Sequence, residues 1–149
     1  MKNKFIKDLE KGEWVENKIL SKIKSKYPKA YKIEGNFKYY DIEIPEINKT
    51  IEVKNDIGSE NTSNYFIEIS CNYENSGIST TKADYWVIYD EKEVIWIKTS
   101  ILKAICDIEE KYWRGIPQGS KTEIEAFLID KNIIKEKANK IADGDKYGL

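Results

Sequence analysis

Two carboxylates and a lysine stand out by type and spacing: Asp41, Glu52 and Lys54, all within the stretch KYYDIEIPEINKTIEVK that runs from Lys38 to Lys54. In an extended strand, residues two apart point to the same side, so Glu52 and Lys54 share one face and Ile51 and Val53 the other. In the preceding run Tyr40, Ile42 and Ile44 share a side, which leaves Asp41 opposite them. Pairing the two runs as a hairpin brings Asp41, Glu52 and Lys54 to one polar spot. Neighbouring carboxylates repel unless a cation sits between them, and hard divalent cations such as Mg²⁺ or Mn²⁺ take oxygen ligands. Asp41 and Glu52 are therefore candidate metal ligands. Lys54 adds a point charge that can stabilise a phosphoryl transition state or lower the pKa of an attacking water. An ordinary surface hairpin with cross-strand Glu–Lys pairing accounts for the same residues without any chemistry.

Composition narrows the choices. The chain has no histidine, which removes His-assisted triads, histidine general bases and zinc fingers. Its two cysteines, Cys71 and Cys106, form no C-x-x-C, so a bound metal has to be held by oxygen. The 149 residues suit one domain, 1–149, with a core over about residues 4–112 and a C-terminal extension over 113–149. No apolar run is long enough to span a bilayer and no signal-peptide pattern opens the chain, so the reading is a soluble cytoplasmic protein. The formal charge of −1 conceals an asymmetry: Met1–Lys38 carries a net +6 and the remainder −7. The basic part, Lys38 included, is a candidate phosphate-facing surface, and a solvated lysine-rich helix is the alternative.

The elements that must position these residues follow from periodicity. Lys4–Tyr27 reads as an amphipathic helix stopped by Pro28, with Phe5, Leu9, Leu20, Ile23 and Tyr27 on one stripe and Glu16 near its middle, where a carboxylate wants a partner. Glu13 lies at the stripe's edge. Ala30–Glu34 reads as a short strand, Gly35-Asn36 as a hairpin turn, and Phe37–Ile44 and Thr50–Lys54 as the paired strands. Asn55–Ser63 is a loop. Asn64–Cys71 alternates as a strand and offers Glu68 to a polar face. The Ser79-Thr80-Thr81 hydroxyls suit a helix N-cap before Lys82-Ala83, or contacts to phosphate. Asp84–Tyr89 and Glu93–Lys98 form a second hairpin with Trp86, Val87 and Ile88 in the core. A helix follows from Thr99 or Ser100 to about Tyr112, burying Ile101, Leu102, Ile105 and Ile108. Trp113–Gly119 reads as a loop whose Arg114 could clamp phosphate or serve the surface. Glu123–Ile129 reads as an edge strand, Lys131–Ile141 as a final helix, and Ala142–Leu149 as a frayed tail.

A helix bearing Glu16, then strands bearing Asp41 and Glu52-Val53-Lys54, then further strands and helices, is a layout that resembles the PD-(D/E)xK, or restriction-endonuclease-like, nuclease superfamily. The resemblance extends from Gly12 to about Asp90. It is similar to that of small phage or prophage members, through Thr62–Glu68, Ser76-Gly77-Ile78 and Thr80–Trp86, and to Holliday-junction-resolvase-like nucleases. It implies an α/β (α+β) fold with a mixed central sheet flanked by helices, in the order αβββ(β)αβ. It also implies a Mg²⁺- or Mn²⁺-dependent endonuclease that hydrolyses DNA, working in a bacterial or phage-infected cell. Asp41, Glu52 and Glu16 would be ligands, with Glu68 a further candidate, and Lys54 would orient or activate water. Lys38, Thr80, Lys82 and Arg114 are candidate DNA contacts. A catalytically inactive DNA- or protein-binding accessory module on the same fold is the alternative. Symmetric cutting of two strands needs two sites related by a two-fold axis, so a homodimer is expected for a junction or palindrome. Trp14 and Tyr112-Trp113 offer aromatic material for its interface.

Overall fold

Val15, Ile19 and Ile23 recur at intervals of four, and each is buried, so the helix they lie on presents one apolar line to the protein. That helix, α1, spans Lys4–Lys24. It closes where the amides of Lys26 and Tyr27 bond back to the Ile23 carbonyl, at 3.0 and 2.8 Å, just before Pro28. The computed structural model describes residues 4–35, 39–59, 61–117 and 120–141. Asn36, Phe37, Lys38, Gln118, Gly119 and the expected tail at Ala142–Leu149 lie outside the described residues, as do the side chains of Phe5 and Leu9.

After α1 come β1 (Tyr31–Lys32), β2 (Ile42–Ile44), β3 (Lys49–Asn55), β4 (Asn64–Cys71), β5 (Glu74–Asn75), β6 (Tyr85–Tyr89), β7 (Val94–Lys98), α2 (Thr99–Glu109), β8 (Tyr112–Gly115), β9 (Ile124–Asp130) and α3 (Lys131–Ile141). The class is mixed α and β, with two sheets where the sequence points to one central sheet. The first has the order β1-β2-β3-β6-β7 and the second β5-β4-β9-β8. In the first sheet β1, β2 and β3 pair antiparallel, β6 runs parallel to β3, and β7 returns antiparallel to β6. A parallel pair needs a crossover. Here β4, β5 and the 3₁₀ turn Gly77–Ser79 supply it, so the helix that the expected order αβββ(β)αβ places before the last strand is absent there.

Strand alternation gives the first sheet two different faces. Ile42, Ile44, Ile51, Val53, Tyr85, Val87, Tyr89 and Trp96 join Val15, Ile19 and Ile23 of α1 in one core. Trp86, Ile88 and Ile97 face a second core with Tyr65 and Ile67 of β4, Ile129 of β9, Leu102 and Ile105 of α2 and Ile134 of α3. The β2–β3 turn passes through Pro45–Ile47 to Asn48, whose φ of 51° is a left-handed conformation that asparagine tolerates better than most residues.

Several local expectations give way to tertiary pairing. Trp113 and Arg114 lie in strand β8, not in a loop, because β9 offers them a ladder from Tyr112↔Phe127 to Gly115↔Ile124. That pairing makes β9 an interior strand, not an edge. Helix α2 ends at Glu109, where Glu110 turns left-handed at φ 47°, so it does not reach Tyr112. Ile108, in its last turn, is 78% exposed and not part of the buried face. No helix starts at Lys82. The Thr81 hydroxyl accepts the Ala83 amide at 3.2 Å and steers the chain straight into β6. No helix among the described residues is long and apolar enough to cross a membrane.

Candidate functional site

The β2–β3 hairpin sets Asp41 against the backbone of Val53, the residue between Glu52 and Lys54. The Asp41 amide donates to the Ile51 carbonyl at 2.8 Å, and two residues further along β3 the Val53 amide donates to Asp41 Oδ2 at 2.7 Å. The aspartate side chain thus takes a backbone donor of β3 just before β2 begins, and it is buried in doing so. Anchoring on Val53 sets the carboxylate beside the residue that separates Glu52 from Lys54. Those two project from the face of β3 opposite Ile51 and Val53, and Lys54 Nζ lies 3.2 Å from Glu52 Oε1. The lysine side chain is 37% exposed and the glutamate side chain 17%. Register pairs Glu52 with Trp86 of β6, and the Lys54 ammonium stands 5.3 Å from the Trp86 ring centroid.

The remaining candidates lie elsewhere. Glu16 is half-buried on α1, the helix that covers the Ile51–Val53 face, whereas Glu52 and Lys54 leave from the other face. Glu68 lies on β4 in the second sheet, alternating with the buried Tyr65 and Ile67, and accepts the Ser76 hydroxyl at 2.7 Å. Among the described residues no three acidic or cysteine side chains converge as a metal cage. The four-carboxylate set Asp41, Glu52, Glu16 and Glu68 is therefore not assembled, and of its members Asp41 and Glu52 lie at the hairpin. Two is the number of protein carboxylates that a Mg²⁺-type ion commonly takes, the rest of its shell being waters and substrate phosphate.

Of the candidate DNA contacts, Lys38 lies outside the described residues. Lys82 is exposed, donates its amide to the Tyr39 carbonyl at 3.4 Å and holds its ammonium 4.1 Å from the Tyr39 ring centroid, two residues from Asp41. Thr80 is exposed beside it. Arg114 sits on the second sheet, bound to Glu123 and stacked 5.2 Å from the centre of the Tyr73 ring. Bonds from Tyr73 and Arg114 hold the Glu123 carboxyl below the usual range, so this guanidinium is committed to a surface pair.

Sequence reasoning missed two supporting sets. Asp84 Oδ2 accepts both the amide and the hydroxyl of Thr50, at 2.9 and 3.1 Å, and the Asp84 amide returns to the Thr50 carbonyl at 3.0 Å. This clasp fixes the start of β6 against β3 and so sets Glu52 opposite Trp86. Beyond the far ends of the same strands, Lys131 Nζ is buried against the Ser59 carbonyl at 2.7 Å and Asp90 Oδ2 at 3.2 Å, over the Tyr65 ring. Burial raises the carboxyl of nearby Asp56, whose Oδ2 accepts the Phe66 amide at 2.9 Å. A lone acid opening a strand and a lysine opening a helix carry no local signal, because both gain meaning only from distant partners. Compared with protein-family models, curated proteins and solved structures, the chain has no match.

Proposed function

We propose that the β2–β3 hairpin is the active site of a metal-dependent endonuclease that hydrolyses DNA phosphodiester bonds, on a restriction-endonuclease-like core made of α1 and the first sheet. The observation that carries this reading is the Asp41 carboxylate anchored on the Val53 amide, between a glutamate and a lysine of the same strand. The antiparallel β2–β3 pair followed by a parallel β6 supports the fold assignment. Asp41 and Glu52 would hold the cation, which when bound would polarise a phosphoryl oxygen and acidify water. Asp41 is preorganised for that task because its orientation is already fixed by a backbone amide. Lys54 stands beside Glu52 with its side chain partly exposed, where an incoming phosphate can reach it. Lys82, near Asp41 in space through Tyr39, adds positive charge for the strand being cut. One copy carries one such site, so two-strand cutting requires a dimer, and light scattering above the 17.4 kDa of one chain would show it.

One feature favours the second reading, an inactive DNA- or protein-binding module: Glu52 and Lys54 already satisfy each other. Plasmid nicking separates the two. The nuclease nicks supercoiled DNA with Mg²⁺ or Mn²⁺, stops with EDTA, and loses activity in Asp41→Asn and Lys54→Ala. No nicking by the folded wild type selects the module, and equal nicking by wild type and Asp41→Asn traces the activity to a contaminant.

A further inference from the structure

We infer that Trp86 is a positioning residue for Lys54, its indole face holding the ammonium at the candidate site. This rests on the function proposed above, and three observations converge on it. Trp86 is the register partner of Glu52 across the parallel β3–β6 ladder, so its ring rises from the sheet on the face that carries Glu52 and Lys54. The Lys54 ammonium stands 5.3 Å from that ring's centroid while also 3.2 Å from Glu52, within the range where an indole attracts a cation. Finally, Trp86 is 1% exposed and its Nε1–H finds no hydrogen-bond partner among the described residues.

A buried unpaired donor is costly, and phenylalanine would fill much of the same space without it. The larger face of the indole, the best cation acceptor among the aromatic rings, supplies a reason to keep tryptophan. The restraint matters because lysine carries its charge on a flexible four-carbon stem. Glu52 alone would leave that stem free to swing whenever its carboxylate is shared with a cation or approached by a phosphate. The ring is neutral and does not exchange partners, so it keeps the ammonium in place through such changes.

The test pairs nuclear magnetic resonance with kinetics. In the wild type, the side-chain protons of Lys54, assigned by their loss in Lys54→Arg, should be displaced upfield by the indole ring current. Trp86→Phe should keep part of the displacement and most of the activity. Trp86→Leu should return Lys54 to the shifts of solvent-exposed lysines and lower kcat by roughly ten- to a hundredfold with KM little changed, the pattern of a misplaced group. Lys54 protons at ordinary lysine shifts in the wild type, or wild-type kcat in folded Trp86→Leu, overturns the inference. If Trp86→Leu does not fold, the wild-type shifts and Trp86→Phe still decide it. If the wild type cleaves no DNA, the proposed function fails, while the shifts separately decide whether Trp86 holds Lys54.

Discussion

Replacing Lys131 by methionine keeps most of the side chain's volume and removes its charge. Lys131 Nζ lies 3.2 Å from Asp90 Oδ2, and Asp90 is 1% exposed, so the change strands a carboxylate in the interior. The Ser59 carbonyl loses the ammonium as well but keeps its bonds from Thr62, so the cost is mainly that of the uncompensated charge. Breaking a buried pair from one side costs about 3–5 kcal/mol. In a domain of this size each kcal/mol moves Tm by about 2–4 °C, so Lys131→Met should lower it by roughly 6–20 °C. Asp90→Asn isolates the charge, because Oδ1 remains an acceptor for the amides of Lys92 and Glu93 at 3.0 and 2.8 Å. The double variant carries neither charge and should recover much of the loss, giving a large coupling energy in a double-mutant cycle. Urea unfolding of the four proteins supplies the numbers. A cost below about 1 kcal/mol for Lys131→Met, or strict additivity in the double variant, would refute the reasoning.

Gly77 has a φ of +54°, and an added Cβ would collide with the Glu68 backbone carbonyl, so Gly77→Ala should cost at least about 1–3 kcal/mol in urea unfolding. Burial raises the Asp56 carboxyl above its ordinary 3.8, so the folded chain holds that proton more tightly than the unfolded one. Its contribution is therefore most favourable in acid and is lost as pH rises from 3.8 through the raised value. Asp56→Asn, which keeps an acceptor for Phe66, should be more stable than wild type near neutral pH, by a margin that shrinks on acidification. Burial pushes the Cys106 thiol up to about 12, and Cys71 is less covered, so a thiol reagent should label Cys71 first and reach Cys106 only on unfolding.

The chain's local arithmetic survives folding well. Period-two spacing put Glu52 and Lys54 on one face of β3, and the bounds of β4 coincide with the alternating run Asn64–Cys71. What sequence could not supply was the partner of each strand. Asn64 pairs with Asp130, far along the chain, and that pairing creates the second sheet, converts Trp113-Arg114 from loop to strand and moves Glu68 off the hairpin's side. At the site, the residue types were legible but the anchor was not. The Val53 amide that orients Asp41 is a backbone group, and no side-chain pattern announces it. Trp86 read simply as core, because its contact with Lys54 depends on the parallel register that the Asp84–Thr50 clasp sets.

Paramagnetic broadening by Mn²⁺ addresses the hairpin as a metal centre most directly. With ¹⁵N-labelled protein and a short DNA duplex present, small additions of Mn²⁺ should first erase the amide signals of Asp41 and of Glu52 through Lys54, leave Glu68 sharp, and spare Asp41→Asn at the same concentration. Broadening that begins at Glu68 or at Asp56 and Asp90, or that persists around Val53 in Asp41→Asn, would contradict it.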